Sequence, residues 1–181
     1  MKAIFLDRDG VINKYPGDKK YVTSWKDFKF LPGAKKAIAR LNKNKFRIFV
    51  ISNQAGVGKG FFSKRALDLI TRNMSNAIRE FGGKIDGVYY CTHRPEENCP
   101  CRKPKAGLID IARKKYSIEA KSSFFIGDTI RDVFTARKAH CKSILVLSGK
   151  EKWSNRKNWE TQPDFVFKDL LKASGFILKH K

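Results

Sequence analysis

The chain has 181 residues, 41% of them hydrophobic and 12% aromatic, and its 39 basic against 17 acidic side chains give a net charge of +22. That length is about one domain and can bury a full core without disulfides, while the apolar content excludes wholesale disorder. No apolar run approaches the ~20 residues of a membrane span, so a soluble, cytoplasmic protein is expected, one domain over residues 1–181, its charge favouring a monomer.

Short apolar runs alternate with amphipathic stretches. Ala3–Leu6 reads as a strand. Pro32 and Gly33 open a helix with apolar positions Ala34, Ala37, Ile38 and Leu41. Phe46–Ile51 is a second strand, almost wholly apolar, as expected where both faces are covered. Ser63 caps a long helix through Leu67, Ile70, Met74, Ile78 and Phe81, stopped by Gly82-Gly83. Val88–Tyr90 is a strand, and Ala106–Tyr116 a helix with Leu108, Ile109, Ile111 and Ala112 apolar. Phe124–Ile126, Ile130–Ala139 and Ile144–Leu147 continue as strand, helix, strand. The polar, Trp-containing stretch 151–162 reads as a surface loop or irregular helix. Phe165–Phe167 is a last strand, followed by a helix from Asp169 to about Leu178.

This alternation implies an α/β fold: a Rossmann-like parallel sheet with helices on both faces. Ligands of such sheets lie at the carboxyl ends of the strands. Polar residues just after each strand should therefore converge: Asp7 and Asp9, Ser52-Asn53-Gln54, the segment from Cys91 onward, and Asp128.

Asp7-Arg8-Asp9-Gly10 places two carboxylates at i and i+2 on a glycine-assisted turn. They can share a magnesium ion, Asp7 through its side chain and Asp9 through its carbonyl, leaving the Asp9 side chain for proton transfer. An ordinary Asp-Gly turn is the competing reading. Ser52, Asn53 and Gln54 offer a hydroxyl and N–H groups to phosphate oxygens, although Ser-Asn is also common loop composition. The nearby Gly56-Val57-Gly58-Lys59-Gly60 is not a phosphate loop: Asn53 stands where its first Gly belongs, and Gly60 replaces the needed Ser or Thr. It fails the dinucleotide pattern too, with Phe61 in place of the third Gly. Lys103, between Arg102 and Pro104, can balance phosphate charge. Asp128, after Gly127, can complete the magnesium site or merely cap a helix, and Asp132 lies one turn further on.

Cys91, His93, Cys99 and Cys101 supply three thiolates and an imidazole within eleven residues. Zinc takes four such ligands tetrahedrally, and a closed set is structural; free thiols with an incidental His93 are the rival reading. Cys141 is isolated and reads as a buried small hydrophobe.

The basic excess is no tail: it is +9 over residues 1–50, +2 over 51–100, +8 over 101–150 and +3 over 151–181. It suits a phosphorylated small molecule or a nucleic acid, and equally a lysine-rich solvated surface.

Asp-x-Asp-Gly, Ser-Asn-Gln and Gly-Asp-x-x-x-Asp, each at the end of a predicted strand, with Lys-Pro in the loop after another, resemble the haloacid dehalogenase superfamily from Ala3 to about Leu178. The Cys-x-His…Cys-x-Cys-Arg-Lys-Pro loop is similar to the zinc loop of the heptose bisphosphate phosphatases and their histidinol-phosphate phosphatase relatives. Trp25-x-x-Phe28-x-Phe30-Leu31-Pro32-Gly33 and Ser52–Gly56 look like that group too. The resemblance implies a magnesium-dependent phosphatase of carbohydrate metabolism with no large cap domain. It implies Asp7 as nucleophile and Asp9 as acid and base, magnesium on Asp7, Asp9 and Asp128, and Ser52 and Lys103 on the phosphate. Arg102 would lie beside the phosphate, with structural zinc holding the loop. Two departures stand out: Thr129, where the heptose group often carries Lys, and a segment over 14–24 longer and more basic than expected. Alternatives are histidinol phosphate, a polynucleotide 3′-phosphate, or a zinc-stabilised interaction module without catalysis.

Overall fold

The computed structural model describes residues 1–180. Its centre is a six-stranded, wholly parallel sheet of β1 (Ala3–Leu6), β2 (Arg47–Asn53), β3 (Gly87–Cys91), β4 (Phe124–Gly127), β5 (Lys142–Val146) and β6 (Phe165–Phe167). The order is β3-β2-β1-β4-β5-β6. The helices are α1 (Ala34–Lys43), a single turn α2 (Ala55–Gly58), α3 (Lys64–Glu80), α4 (Gly107–Tyr116), α5 (Ile130–Lys138) and α6 (Leu170–Lys179).

The period-two alternation of strand side chains sorts the core into two layers. Ile4 and Leu6 of β1 and Ile48 and Val50 of β2 point to one face, with α1, α3 and α6. Ala3 and Phe5, with Phe49 and Ile51, point to the other, where Leu108, Ile109 and Ala112 of α4 and Ala136 of α5 meet them. Trp25, Phe28 and Phe30 cluster against the first face, Phe28 lying 5.0 Å from both of the other rings. Ser63 caps α3 as expected, its side chain accepting the Ala66 N–H at 3.1 Å.

All six expected strands and all five expected helices form, with ends shifted by one or two residues. β2 and β3 run one to two residues further because Asn53 pairs with Cys91 across the ladder. Ile111, expected on the buried stripe of α4, is 50% exposed, since the helix turns Leu108, Ile109 and Ala112 inward instead. The stretch 151–162 contains a 3-10 helix, Trp153–Asn158, and buries Trp159 against Val133 and Leu145. Cys141 is buried, as expected. No described helix is long and apolar enough to cross a membrane.

The chain winds outward from β1 to β3, then returns to place β4 on the other side of β1. The carboxyl ends of β1 and β4 are therefore the switch point where such sheets bind ligands.

Candidate active site

Asp7 leaves β1 with its N–H donating to the Ile126 carbonyl at 2.9 Å, which pins it beside the end of β4. One carboxylate oxygen accepts the Arg8 N–H at 2.7 Å. The other lies 2.8 Å from Lys103 Nζ. That ammonium also lies 2.7 Å from Asp132 Oδ1 and is only 3% exposed. Burial pulls Lys103 downward, but the charges of Asp132 and Asp7 outweigh this and hold it above the usual lysine range. Burial pushes the Asp7 carboxyl upward, the neighbouring Asp132 charge adds to the rise, and Lys103 opposes both.

Asp128 follows β4. It is not a helix cap: Thr129 caps α5, and Asp132 closes the capping box by accepting from the Thr129 N–H and hydroxyl at 3.1 and 2.7 Å. Asp128 instead faces the cleft, where its carboxylate accepts the Lys150 N–H at 2.8 Å. Burial, then Asp7 and Asp132, raise it well above its ordinary value. Side chains at Gly10, whose φ is +81°, and at Gly149 would collide with this carboxylate. The loop after β5 wraps it further, with Glu151 N–H on the Asp128 carbonyl at 3.1 Å and Ser148 Oγ on the Gly10 carbonyl at 2.7 Å.

Asp9 turns its carboxylate toward three donors. Arg8 Nη2 reaches both oxygens at 3.0 Å, Asn13 Nδ2 one at 2.8 Å and Gln54 Nε2 the other at 3.1 Å. Arg8 is fully buried, under the Tyr90 ring at 5.9 Å.

Ser52 ends β2 and lines the cleft, its hydroxyl accepting from Gln54 at 3.2 Å. Gln54 is spent on Asp9 and Ser52, and its N–H donates to the Cys91 carbonyl at 2.7 Å. Asn53 clamps the Lys103 backbone from both sides, accepting its N–H and donating to its carbonyl, each at 3.1 Å. Both side-chain amides thus support neighbours of the cleft; of the backbone N–H groups expected to meet phosphate, that of Gln54 is taken by Cys91, and Asn53 lines the cleft. Arg102 lines the cleft and donates to the His93 carbonyl at 3.4 Å. The cleft measures about 510 Å³, and the segment 15–21 and Lys150 form part of its wall.

Among the described residues, two clusters could hold a metal. The ligand oxygens of Asp7, Asp128 and Asp132 lie within 4.8 Å of one another. Asp7 and Asp132 each have both carboxylate oxygens engaged, Asp7 by the Arg8 N–H and Lys103 and Asp132 by Lys103 and Thr129, while Asp128 accepts from the Lys150 N–H; together they present hard oxygens of the kind magnesium takes. In the second cluster, Cys99 Sγ lies 3.5 Å from Cys91 and 3.4 Å from Cys101, and His93 Nδ1 lies 3.7 and 3.3 Å from Cys91 and Cys101. A tetrahedral zinc site needs about 3.8 Å between sulfurs and about 3.6 Å from sulfur to nitrogen. The four atoms are therefore nearly in place. Burial pushes the Cys101 thiol up to about 12, while hydrogen bonds from Cys101 and Cys91 pull Cys99 down to about 7 despite burial.

Sequence reasoning passed over Arg8, Asn13 and the loop Ser148-Gly149-Lys150. The rule about carboxyl ends of strands would have flagged the loop, since it follows β5 directly.

A family model described as "HAD-hyrolase-like" matches residues 100–173. The chain is 38% identical over 184 residues to the D-glycero-beta-D-manno-heptose-1,7-bisphosphate 7-phosphatase of Haemophilus ducreyi, covering 97% of this chain and 98% of that one. It is 37% identical over 180 residues to the protein of that name from Bordetella bronchiseptica, covering 99% of each. The crystal structure of D,D-heptose 1,7-bisphosphate phosphatase from B. bronchiseptica, complexed with magnesium and phosphate, superposes with a TM-score of 0.93 at 31% identity over 100% of both chains. That of the Burkholderia thailandensis enzyme gives 0.73 at 28% identity, covering 99% of this chain and 98% of that one.

Proposed function

The chain belongs to the D-glycero-beta-D-manno-heptose-1,7-bisphosphate 7-phosphatase family, and from that premise we propose that it removes the 7-phosphate of a heptose 1,7-bisphosphate by way of an aspartyl-phosphate on Asp7. The observation that carries the reading is Lys103 held between Asp7 and Asp132 at 2.8 and 2.7 Å on the floor of an open cleft. A carboxylate can attack a phosphate dianion only where cations offset their repulsion.

Asp7 attacks phosphorus with the oxygen not committed to Lys103, and the bond from phosphorus to the sugar oxygen breaks. Asp9 donates its proton to that leaving oxygen, then takes one from the water that attacks the aspartyl-phosphate, freeing Asp7 and inorganic phosphate. Ser52 and Lys103 hold the oxygens of the transferring group, and Arg102 orients the sugar beside it. Magnesium, held by Asp7, Asp128 and the Asp9 carbonyl, supplies further positive charge against the phosphate when bound. Cys91, His93, Cys99 and Cys101 would hold zinc in a structural role, because four protein ligands would leave no open position. The loop it closes carries Arg102 and Lys103 directly after Cys101.

The test is phosphate release with magnesium across heptose 1,7-bisphosphates, histidinol phosphate and a 3′-phosphorylated oligonucleotide. A kcat/KM for a heptose bisphosphate at least tenfold above the others is expected. Preference for the oligonucleotide would overturn the substrate and turn the +22 charge into a nucleic-acid surface.

A further inference from the structure

Six cations line the cleft: Lys19, Lys20, Arg102, Lys103, Arg131 and Lys150. Among the described residues, two of them form ion pairs with carboxylates: Lys103 with Asp7 and Asp132, and Lys150 with Asp18. The first pair marks the position of the reacting phosphate. The second stands at the mouth, where Lys150 Nζ lies 2.6 Å from Asp18 Oδ1 across 132 positions of sequence. Tyr15 donates its hydroxyl to the same oxygen at 2.6 Å.

We infer that Lys150 receives the second, non-reacting phosphate of the substrate, and that Asp18 is the carboxylate this phosphate displaces. The inference rests on the bisphosphatase reading above and names the group that reads the second phosphate.

Three observations support it. First, the Lys150 backbone is fixed to the reaction floor, with its N–H on Asp128 at 2.8 Å, while Asp128 and Asp7 lie within 4.8 Å of each other. The ammonium therefore stands one lysine side chain beyond the acidic centre. It pairs there with Asp18 and not with Asp7, Asp128 or Asp132, which suits a phosphate other than the reacting one. Second, the pair is open to water, Lys150 being 46% and Asp18 69% exposed, so its exchange for a dianion is cheap. The hydrogen bonds from Lys150 and Tyr15 hold Asp18 below the ordinary carboxylate range, a full anion in the place of the phosphate. Third, Thr129 is committed to capping α5 and supplies no cation beside Asp128, which leaves a second phosphate to the basic side chains that line the cleft, Lys150 among them.

The two partners of one ion pair then have opposite effects. Lys150→Met removes a charge-assisted contact, and the ratio of KM for heptose 1,7-bisphosphate to KM for heptose 7-phosphate should rise about tenfold. Asp18→Asn removes the internal competitor, and the same ratio should fall about two- to threefold. In both variants kcat should stay within about twofold. A clasp that only holds the two loops together predicts damage of the same sign in both variants and on both substrates, and that result overturns the inference. Wild-type enzyme run alongside separates the two failures. If it does not hydrolyse the bisphosphate, the functional reading falls and this inference with it. If it does, and the variants shift together, the inference alone falls.

Discussion

Replacing Lys103 by methionine takes away the charge between Asp7 and Asp132 while keeping most of the apolar stem. The lysine side chain is 3% exposed and Asp132 2% exposed, so solvent screens little of the interaction. Removing one partner of a buried ion pair costs about 3–5 kcal/mol, because the remaining charge stays desolvated. Against a typical folding stability of about 5–15 kcal/mol, that is a large share. A double-mutant cycle separates this electrostatic term from packing. Asp132→Asn alone leaves Lys103 paired with Asp7 and weakens the cap of α5, for about 1–2 kcal/mol. Lys103→Met with Asp132→Asn leaves two buried carboxylates, Asp7 and Asp128, instead of three, so the double variant should be more stable than the summed single losses by about 1–3 kcal/mol. Urea unfolding of zinc-replete, magnesium-free protein, followed by tryptophan fluorescence, reads the cycle. A single-variant loss below about 1 kcal/mol, or strict additivity, would refute the claim that this lysine holds the acidic floor together.

The remaining expectations concern the two metals and the two aspartates. Asp7→Asn should reduce phosphate release by at least about 10³-fold without lowering the melting temperature, since it also removes a buried charge; measurable turnover in a clean preparation would reject Asp7 as nucleophile. Asp9→Asn should slow sugar phosphates far more than aryl phosphates whose leaving groups need no proton, and an equal loss on both would argue against acid catalysis. Cys99→Ser should lower zinc content and melting temperature together; one full equivalent of zinc by elemental analysis would reject the ligand set. Asp7 and Asp128 are raised above their ordinary 3.8, so the native protein binds more protons than the unfolded chain above that value. Their contribution to stability is complete below it and is lost as pH rises through the raised values. Magnesium-free protein should therefore lose stability as pH climbs out of the ordinary carboxylate range, and stabilisation by magnesium should grow over the same window. Calorimetry showing a magnesium effect independent of pH would contradict this.

Much of the sheet is legible because its residues are locally consistent. Four apolar residues ending in Asp-x-Asp-Gly can be little else than a buried strand running into a polar turn. Once β1 and β4 are read as neighbours in a parallel sheet, Asp7 and Asp128 must meet at their carboxyl ends. Other contacts depend on partners far away in sequence. Arg8, flanked by two aspartates, reads as an exposed charge, and only the packing of Tyr90 over it shows that it is fully buried. The side-chain amide of Asn53 gives no local sign that its partner is the backbone of Lys103, fifty residues on. Ile111 misleads in the opposite direction, since an apolar residue at helical spacing carries no sign of which neighbours will cover it.

These distant contacts link the Cys/His cluster to the acidic floor. Lys103 reaches Asp7 from a loop with no secondary structure of its own between Cys101 and α4. Ordering such a segment costs about 1–2 kcal/mol per residue in backbone entropy, and Lys103 must in addition be drawn into a buried position. The loop is restrained on one side by the cluster of Cys91, His93, Cys99 and Cys101, and on the other by the two Asn53 hydrogen bonds. Cys91 and Asn53 are themselves paired across β3 and β2, so both restraints are anchored in the same rung of the sheet. Loosening the cluster releases one restraint only. Lys103 would then sample positions away from Asp7, and Asp7, on the proposed mechanism, would lose part of the charge that lets it approach phosphate. Loss of zinc should thus reduce kcat before it unfolds the chain, and Asn53→Ala should reproduce the kinetic loss with zinc content unchanged.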